Sequence, residues 1–315
     1  MKINFVNRGS IDLVSGGYIY NKNIIKWLSL NGFEVEYTDN MKNLNWHDIT
    51  IIDSLMIREM GNEIINAPKK PIGLIHMINE NKCPDLLPIF NNMNFITTGS
   101  QSYNCLIKQY NKLENEVAIV SPGINKDWKK KTTYNSNPIS LLVVANYLPG
   151  KGYEMLLESL ALNKNIKWKL SCYGNNEFDP EYYKSLLQKS KSLNLTDRIT
   201  FNGSIAPKLI NSKMIDSDLL LHFSESESFG MVIQEAIHTG LPVIMYKTGE
   251  WQEFTKSNQV LLVDKYCLTD FSSALHTILT NENTYRALCT PTYQNDRSWD
   301  TVGLEIQNIL IKHYK

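Results

Sequence analysis

Two α/β domains, each a doubly wound parallel sheet, are what this sequence predicts, and three observations predict them. Short runs of apolar and β-branched residues alternate with helix-length segments, the pattern of crossover units on a parallel sheet. The alternation breaks once, at a polar stretch near residue 130, and then restarts. The 315 residues exceed one ordinary small core and suit two domains of about 150 each.

In the first half the strand-like runs are KINFVN, FEVEY, DITIID, PIGLIH, NFITTG and VAIVSPG, with helical patterns in YIYNKNIIKWLSLNG and SYNCLIKQYNK. NKDWKKKTTYNSNP, from Asn125 to Pro138, is polar, lacks an apolar period and holds several turn formers, so it is expected to be a linker. Within it, WKKK at 128–131 is expected to be a solvated run, too short to bind nucleic acid in a neutral protein.

After it come ISLLVVA, KWKLSCYG, RITFNG, DLLLHFS, PVIMY and QVLLVD as strands, near-continuously apolar as buried parallel strands are. Between them YEMLLESLALN, PEYYKSLLQKSKSLN, FGMVIQEAIHTG and LTDFSSALHTILTN carry helical periods. The expected domains are therefore 1–130 and 131–297. The last amphipathic stretch, within 298–315, follows an already complete second sheet and is expected to pack back on the first domain.

Composition narrows the function classes. Lys+Arg and Asp+Glu both total 32, so no net field attracts nucleic acid, and 43% hydrophobic residues suffice for globular interiors. The start, MKINFVNRGS, lacks a secretory apolar region and no run approaches the ~18 apolar residues of a bilayer span, which predicts a cytoplasmic protein with at most peripheral membrane contact. Five scattered cysteines without a C-x-x-C pair fit reduced thiols and no metal site.

Ligands of open α/β sheets lie outside the carboxyl ends of the strands, and two such sheets facing one another would make a cleft, so residues just after strands are the candidates. Lys151, flanked by Gly150 and Gly152, stands between a strand and a helix, where free backbone N–H groups and a full charge suit a pyrophosphate; an ordinary glycine turn with a solvated Lys satisfies the same residues. Gly16 and Gly17 precede the first helix and allow a backbone to approach an anion, or form a plain loop. His76 ends PIGLIH at a strand edge, where it would donate to a sugar hydroxyl or phosphate or be a satisfied polar residue. Glu227 falls in the loop after DLLLHFS, and Glu235 sits among Met231, Val232, Ile233, Ala236 and Ile237. A buried charge there needs a partner or a ligand. Were the helix continuous between them, eight residues would separate the two glutamates by ~12 Å, about the span of a sugar diphosphate.

Singly these signals are weak; their order is specific. FSESESFGMVIQEAIHTGLPVI resembles the signature P-S-x-x-E-x-F-G-x-x-x-x-E-A-x-x-x-G-x-P-V-I of the retaining glycosyltransferases of family 4, with Phe223 in place of the leading Pro. SGG at 15–17, His76, SPGIN at 121–125, YGN at 173–175, RITFNG and TGEWQEF are similar to further family segments in the same order, the last with Glu250 in place of a Gly.

The resemblance implies a GT-B fold, two Rossmann-like domains facing across a cleft, the first binding the acceptor and the second the nucleotide sugar. It places the donor, a UDP-, GDP- or ADP-sugar, on Gly16, Gly17, Asn146, Lys151, Gly174, Ser228, Phe229, Gly230, Met231, Val232 and Glu235. Glu227 and His76 would contact the transferred sugar as the catalytic pair. Glu235 would hold the ribose and Lys151 the pyrophosphate, with no metal, no cofactor and no protein nucleophile. The sugar would pass to a hydroxyl acceptor with retention by front-face attack.

One departure stands out. Asn146 occupies the place of the family's Arg, so one of two cations for the pyrophosphate is missing, and a charge-assisted bond to phosphate contributes roughly 1.5–3 kcal/mol. Arg8 is a substitute candidate. A noncatalytic nucleotide-sugar-binding protein and a GT-B sugar-nucleotide epimerase are the alternatives.

Overall fold

The computed structural model describes residues 1–40, 44–77, 84–113, 115–133, 138–289, 292 and 297–314; Cys83 and the stretch 134–137 lie outside the described residues. Two compact units divide the chain: Met1–Asn125 with Arg297–Lys315, and Lys126–Asp296.

In the first unit the order is β1 Lys2–Val6, α1 Gly16–Leu30, β2 Glu34–Thr38, β3 Ile49–Asp53, α2 Gly61–Ile65 and β4 Ile72–Ile75. A 3-10 turn, Pro84–Leu86, then leads into α3 Leu87–Phe90, followed by β5 Asn94–Thr97, α4 Ser100–Gln109 and β6 Val117–Ile119. The strands form one parallel sheet, β2-β1-β3-β4-β5-β6. Side chains alternate between its faces, as strand geometry requires. Ile49, Ile51 and Ile96 turn to one side with Tyr20, Ile24 and Leu28 of α1, while Ile52 and Phe95 turn to the other with Met60, Phe90 and Leu106.

The second unit runs β7 Ile139–Val144, α5 Tyr153–Leu162, β8 Trp168–Tyr173, α6 Pro180–Ser192, β9 Ile199–Asn202, α7 Pro207–Ile215 and β10 Leu219–His222. It continues through α8 Met231–Thr239, β11 Val243–Tyr246, α9 Trp251–Phe254, β12 Val260–Val263, α10 Leu268–Thr280 and α11 Glu282–Leu288. Its parallel sheet has the order β12-β11-β10-β7-β8-β9. Counted within the unit this is the 3-2-1-4-5-6 order of the Rossmann fold. The same alternation sends Leu141, Val143, Leu219 and Leu221 toward α5 and α10, and Leu142, Leu220 and Val243 toward α7 and α8.

The chain then returns to the first unit as α12, Trp299–Tyr314. Val302, Ile306 and Leu310 join the core beside α1. Gly303 lies against the Trp27 indole so closely that a Cβ there would fall 2.0 Å from the ring, and Trp27 Nε1 donates to Asp300 at 3.1 Å.

The expected linker is corrected at its first half. Trp128 packs on the core of the second unit, and Lys129 exchanges hydrogen bonds with the Asn211 side chain at 2.8 and 2.9 Å. Lys131 is 7% exposed rather than solvated: its Nζ donates to the Ile215 carbonyl at 2.8 Å, at the carboxyl end of α7, and stands 3.7 Å from Asp218. A cation is favoured at that end of a helix dipole. These contacts attach Trp128, Lys129 and Lys131 to the second compact unit, which runs from Lys126.

Candidate functional site

A doubly wound sheet opens a crevice where its strand order reverses, because the loops on either side leave in opposite directions. In the second unit that point lies between β7 and β10, and Lys151 and Glu227 lie on the loops that follow those strands. Both loops are stitched together. Glu225 N–H donates to the Gly150 carbonyl at 2.8 Å, and Gly152, at φ +70°, sits where a Cβ would be 2.4 Å from the Phe223 carbonyl oxygen. Only glycine supplies both that close approach and the left-handed backbone. Phe223, standing where the family signature has Pro, turns its ring into the core against Tyr246 and Phe271.

The two side chains meet. Lys151 Nζ donates to Glu227 Oε1 at 2.7 Å, and His222 Nε2 stands 3.5 Å from the same oxygen. Burial pushes the Glu227 carboxyl up, but the His222 imidazole and the Lys151 ammonium outweigh it and hold the group well below the usual carboxylate range. A third loop, after β11, closes on the same place: Gly249 is at φ +60° with Glu227 Cβ 3.1 Å from where its own Cβ would be, and Glu250 N–H donates to the Phe229 carbonyl at 2.9 Å. Glu250, at φ −84°, needs no glycine freedom, which accounts for its replacing a Gly of the family pattern.

Helix α8 starts at Met231, so Glu227 belongs to the loop and a helical rise does not set its distance from Glu235. Gly230 caps α8 at φ +101° with no side-chain cap, which leaves the N–H groups of Met231 and Val232 at the positive end of the dipole. Phe229 is buried edge-on against Phe254, so it offers the site backbone rather than side chain, while Ser228 is half-buried. Glu235, one turn along, makes no hydrogen bond or ion pair with the described residues, and burial among apolar neighbours pushes its carboxyl up to about 8.

On the far side of Lys151, Asn146 Oδ1 accepts from Asn175 N–H at 3.0 Å. The residue standing in the place of an Arg thus holds a turn. Gly174 is needed there because a Cβ would fall 2.1 Å from the Ala145 carbonyl oxygen. Arg8, the substitute cation, is exposed and paired with Glu59 at 2.8 Å.

In the first unit the strand order reverses between β1 and β3. Gly16 and Gly17 form the uncapped first turn of α1, and Gly17 is pressed against the His76 ring, 3.1 Å from Cδ2 to where a Cβ would be. His76 Nε2 lies 2.8 Å from Asn21 Oδ1 and 3.3 Å from Asp53 Oδ2.

Sequence reasoning missed His222, Asn21 and Asp53, and also two buried hydroxyls, Ser224 and Thr248, that have no hydrogen-bond partner among the described residues. Each is polar at the carboxyl end of an apolar strand or on the adjacent loop or helix, a position that marks a candidate without deciding its role. Among the described residues no group of three or more His, Cys, Asp or Glu is placed to hold a metal ion, and no helix is long and apolar enough to cross a membrane.

Known proteins resemble this chain in sequence and in fold. Over 119 residues the chain is 32% identical to a D-inositol 3-phosphate glycosyltransferase of Rhodococcus opacus, a stretch covering 37% of this chain and 27% of that relative. Over 122 residues it is 30% identical to an N-acetyl-alpha-D-glucosaminyl L-malate synthase of Bacillus anthracis, covering 38% and 30%. The matches thus span less than a third of either curated relative. In fold it is similar to Anabaena HepE solved with UDP-glucose, at TM-score 0.79 and 17% identity over 99% of this chain and 100% of that one. The family model for the glycosyl transferases group 1 matches residues 124–294, more than half of the sequence and all the second-unit residues just described, and the chain belongs to that family.

Proposed function

We propose that the protein is a retaining, metal-independent glycosyltransferase that moves a sugar from a nucleotide-diphosphate sugar to a hydroxyl acceptor. The observation that carries this is the meeting of Lys151 and Glu227 at the switch point of the second sheet, one uncapped helix start away from Glu235, which has no partner among the described residues. The donor's ribose hydroxyls donate to Glu235. The diphosphate lies at the N–H groups of Met231 and Val232, where a helix start binds anions. Lys151 has three N–H bonds, so it serves Glu227 and a phosphate oxygen together. As the anomeric bond breaks, negative charge grows on the departing diphosphate, and groups already aimed at it lower the barrier without reorganising.

HepE, solved with UDP and with UDP-glucose, makes UDP-glucose the first donor to try. Calorimetry with UDP-, GDP- and ADP-sugars, followed by slow donor hydrolysis, tests the reading: Lys151→Ala and Glu235→Ala abolish binding or turnover if it holds. A chain that binds and turns over none of the panel is no transferase. Asn146, which holds the turn at Asn175 where an Arg would meet phosphate, favours a second reading, a protein that binds the nucleotide sugar without transfer. Binding without hydrolysis or transfer would select it.

A further inference from the structure

Beneath the Gly17 turn of the first unit, a carboxylate, a carboxamide and an imidazole stand in hydrogen-bonding sequence on three different elements. Asp53 closes β3 at 2% exposure, Asn21 lies on α1 at 0%, and His76 follows β4. Asp53 Oδ1 accepts from Leu55 N–H at 2.9 Å and Oδ2 from Asn21 Nδ2 at 2.7 Å. A carboxylate only accepts, so Asn21 must give Asp53 its amide N–H and present its own Oδ1 to His76. Both oxygens that face His76 Nε2, Asn21 Oδ1 at 2.8 Å and Asp53 Oδ2 at 3.3 Å, are therefore acceptors, and Nε2 carries the proton. A neutral imidazole has one N–H, which leaves Nδ1 with a lone pair. No hydrogen bond to a described residue occupies Nδ1.

The ring cannot turn freely to exchange its nitrogens. A Cβ on Gly17 would fall only 3.1 Å from the His76 Cδ2, so the Gly17 backbone lies close behind the ring, and Tyr20 meets it edge-on with centroids 5.4 Å apart.

We propose that Asp53 and Asn21 are positioning residues that hold His76 as the Nε2–H tautomer, so that Nδ1 accepts a hydrogen bond from a hydroxyl of the sugar substrate. This reverses the role expected from sequence, where His76 was a donor. It rests on the transferase reading for the identity of the substrate; the tautomer does not.

Ring-15N histidine spectra of the whole protein above the histidine titration test it directly, with the His76 signals assigned by their loss in His76→Gln. The wild type shows a protonated Nε2 and a bare Nδ1. Asp53→Asn lets Asn21 turn its amide toward His76, so the proton shifts toward Nδ1, and kcat falls about 100-fold while donor KM changes little. A wild-type Nδ1–H tautomer overturns the proposal without any variant, and so does an Asp53→Asn protein that keeps both the wild-type tautomer and the wild-type kcat. The expected tautomer in a protein that transfers no sugar upholds the positioning and defeats the transferase reading instead.

Discussion

Glu235 carries a cost in the free protein. Its folded pKa, about 8, lies above the ordinary 4.5, so between those values the folded chain holds a proton that the unfolded chain has lost. Stability from this group is then full below about pH 4.5 and declines as pH rises toward 8. Glu235→Gln is expected to melt with the wild type at pH 5 and above it at pH 8, by ~1–3 kcal/mol, in ligand-free thermal scans. An equal gap at both pH values would show that burial does not tax this carboxyl. On the proposed reading, ribose hydroxyls donate to Glu235 and favour its ionised form, so donor binding at pH 7 is expected to release up to one proton. Calorimetric titration with UDP in two buffers of different ionisation enthalpy measures it. Glu235 was legible in the sequence because a charge in MVIQEAI breaks an apolar face. His222 and Asp53 were not, because at the end of an apolar strand a polar residue meets water, a neighbour or a ligand equally well, and only the folded neighbours decide which.

Elements with a full period were legible; those without one were not. The six strands of each sheet and the long helices α1, α4, α5, α6, α8, α10 and α12 each hold enough residues to show alternation or a 3.6-residue stripe. The helices α2, α3 and α9 have four or five residues, too few to display a period, and α11 has seven, just under two turns; α7, as long as α8, has a polar and apolar mixture that shows no clear stripe. Residues 126–131 failed differently. Their polarity suggested solvent, and Lys126, Asp127, Lys129 and Lys130 are indeed exposed, but the backbone of Lys129 and Lys131 is bonded to Asn211 and Thr239, and the Lys131 ammonium to Ile215, of the second unit. At the site the critical element is the loop between β7 and α5, whose shape depends on Gly152. Gly152→Ala combines a left-handed backbone with a methyl 2.4 Å from a carbonyl oxygen, and is expected to cost about 1–3 kcal/mol. Because the adjustment moves Lys151 off Glu227, donor affinity should fall more than that of a surface control of equal stability. An unchanged melting temperature with unchanged donor affinity would contradict this account of the loop.

At the scale of the whole molecule, each half is a complete doubly wound sheet with its own core, so unfolding need not be a single transition. A ligand stabilises only what it binds, by about 2.7 kcal/mol at a hundred times its Kd. In a unit of this size that corresponds to roughly 5–10 °C. Scanning calorimetry with saturating UDP is expected to raise the transition of the second unit and leave that of the first in place. If UDP, GDP and ADP move neither, the donor site has been assigned to the wrong residues. The strand orders were not legible from the sequence, since alternation fixes parallel crossovers but not the side on which each new strand is added. The family resemblance supplied that step, through the spacing of Lys151, Glu227 and Glu235 rather than through any strand.

Helix α12 belongs to the first unit but is the last element of it to be synthesised, after 171 residues of the second. On a ribosome, the second unit can be built from one continuous length of nascent chain. The first cannot: Trp27 and the apolar side of α1 wait for Val302, Gly303 and Ile306 to emerge. During translation the half that carries His76 is therefore the later to mature and the longer exposed to chaperones and proteases, however early its strands are made.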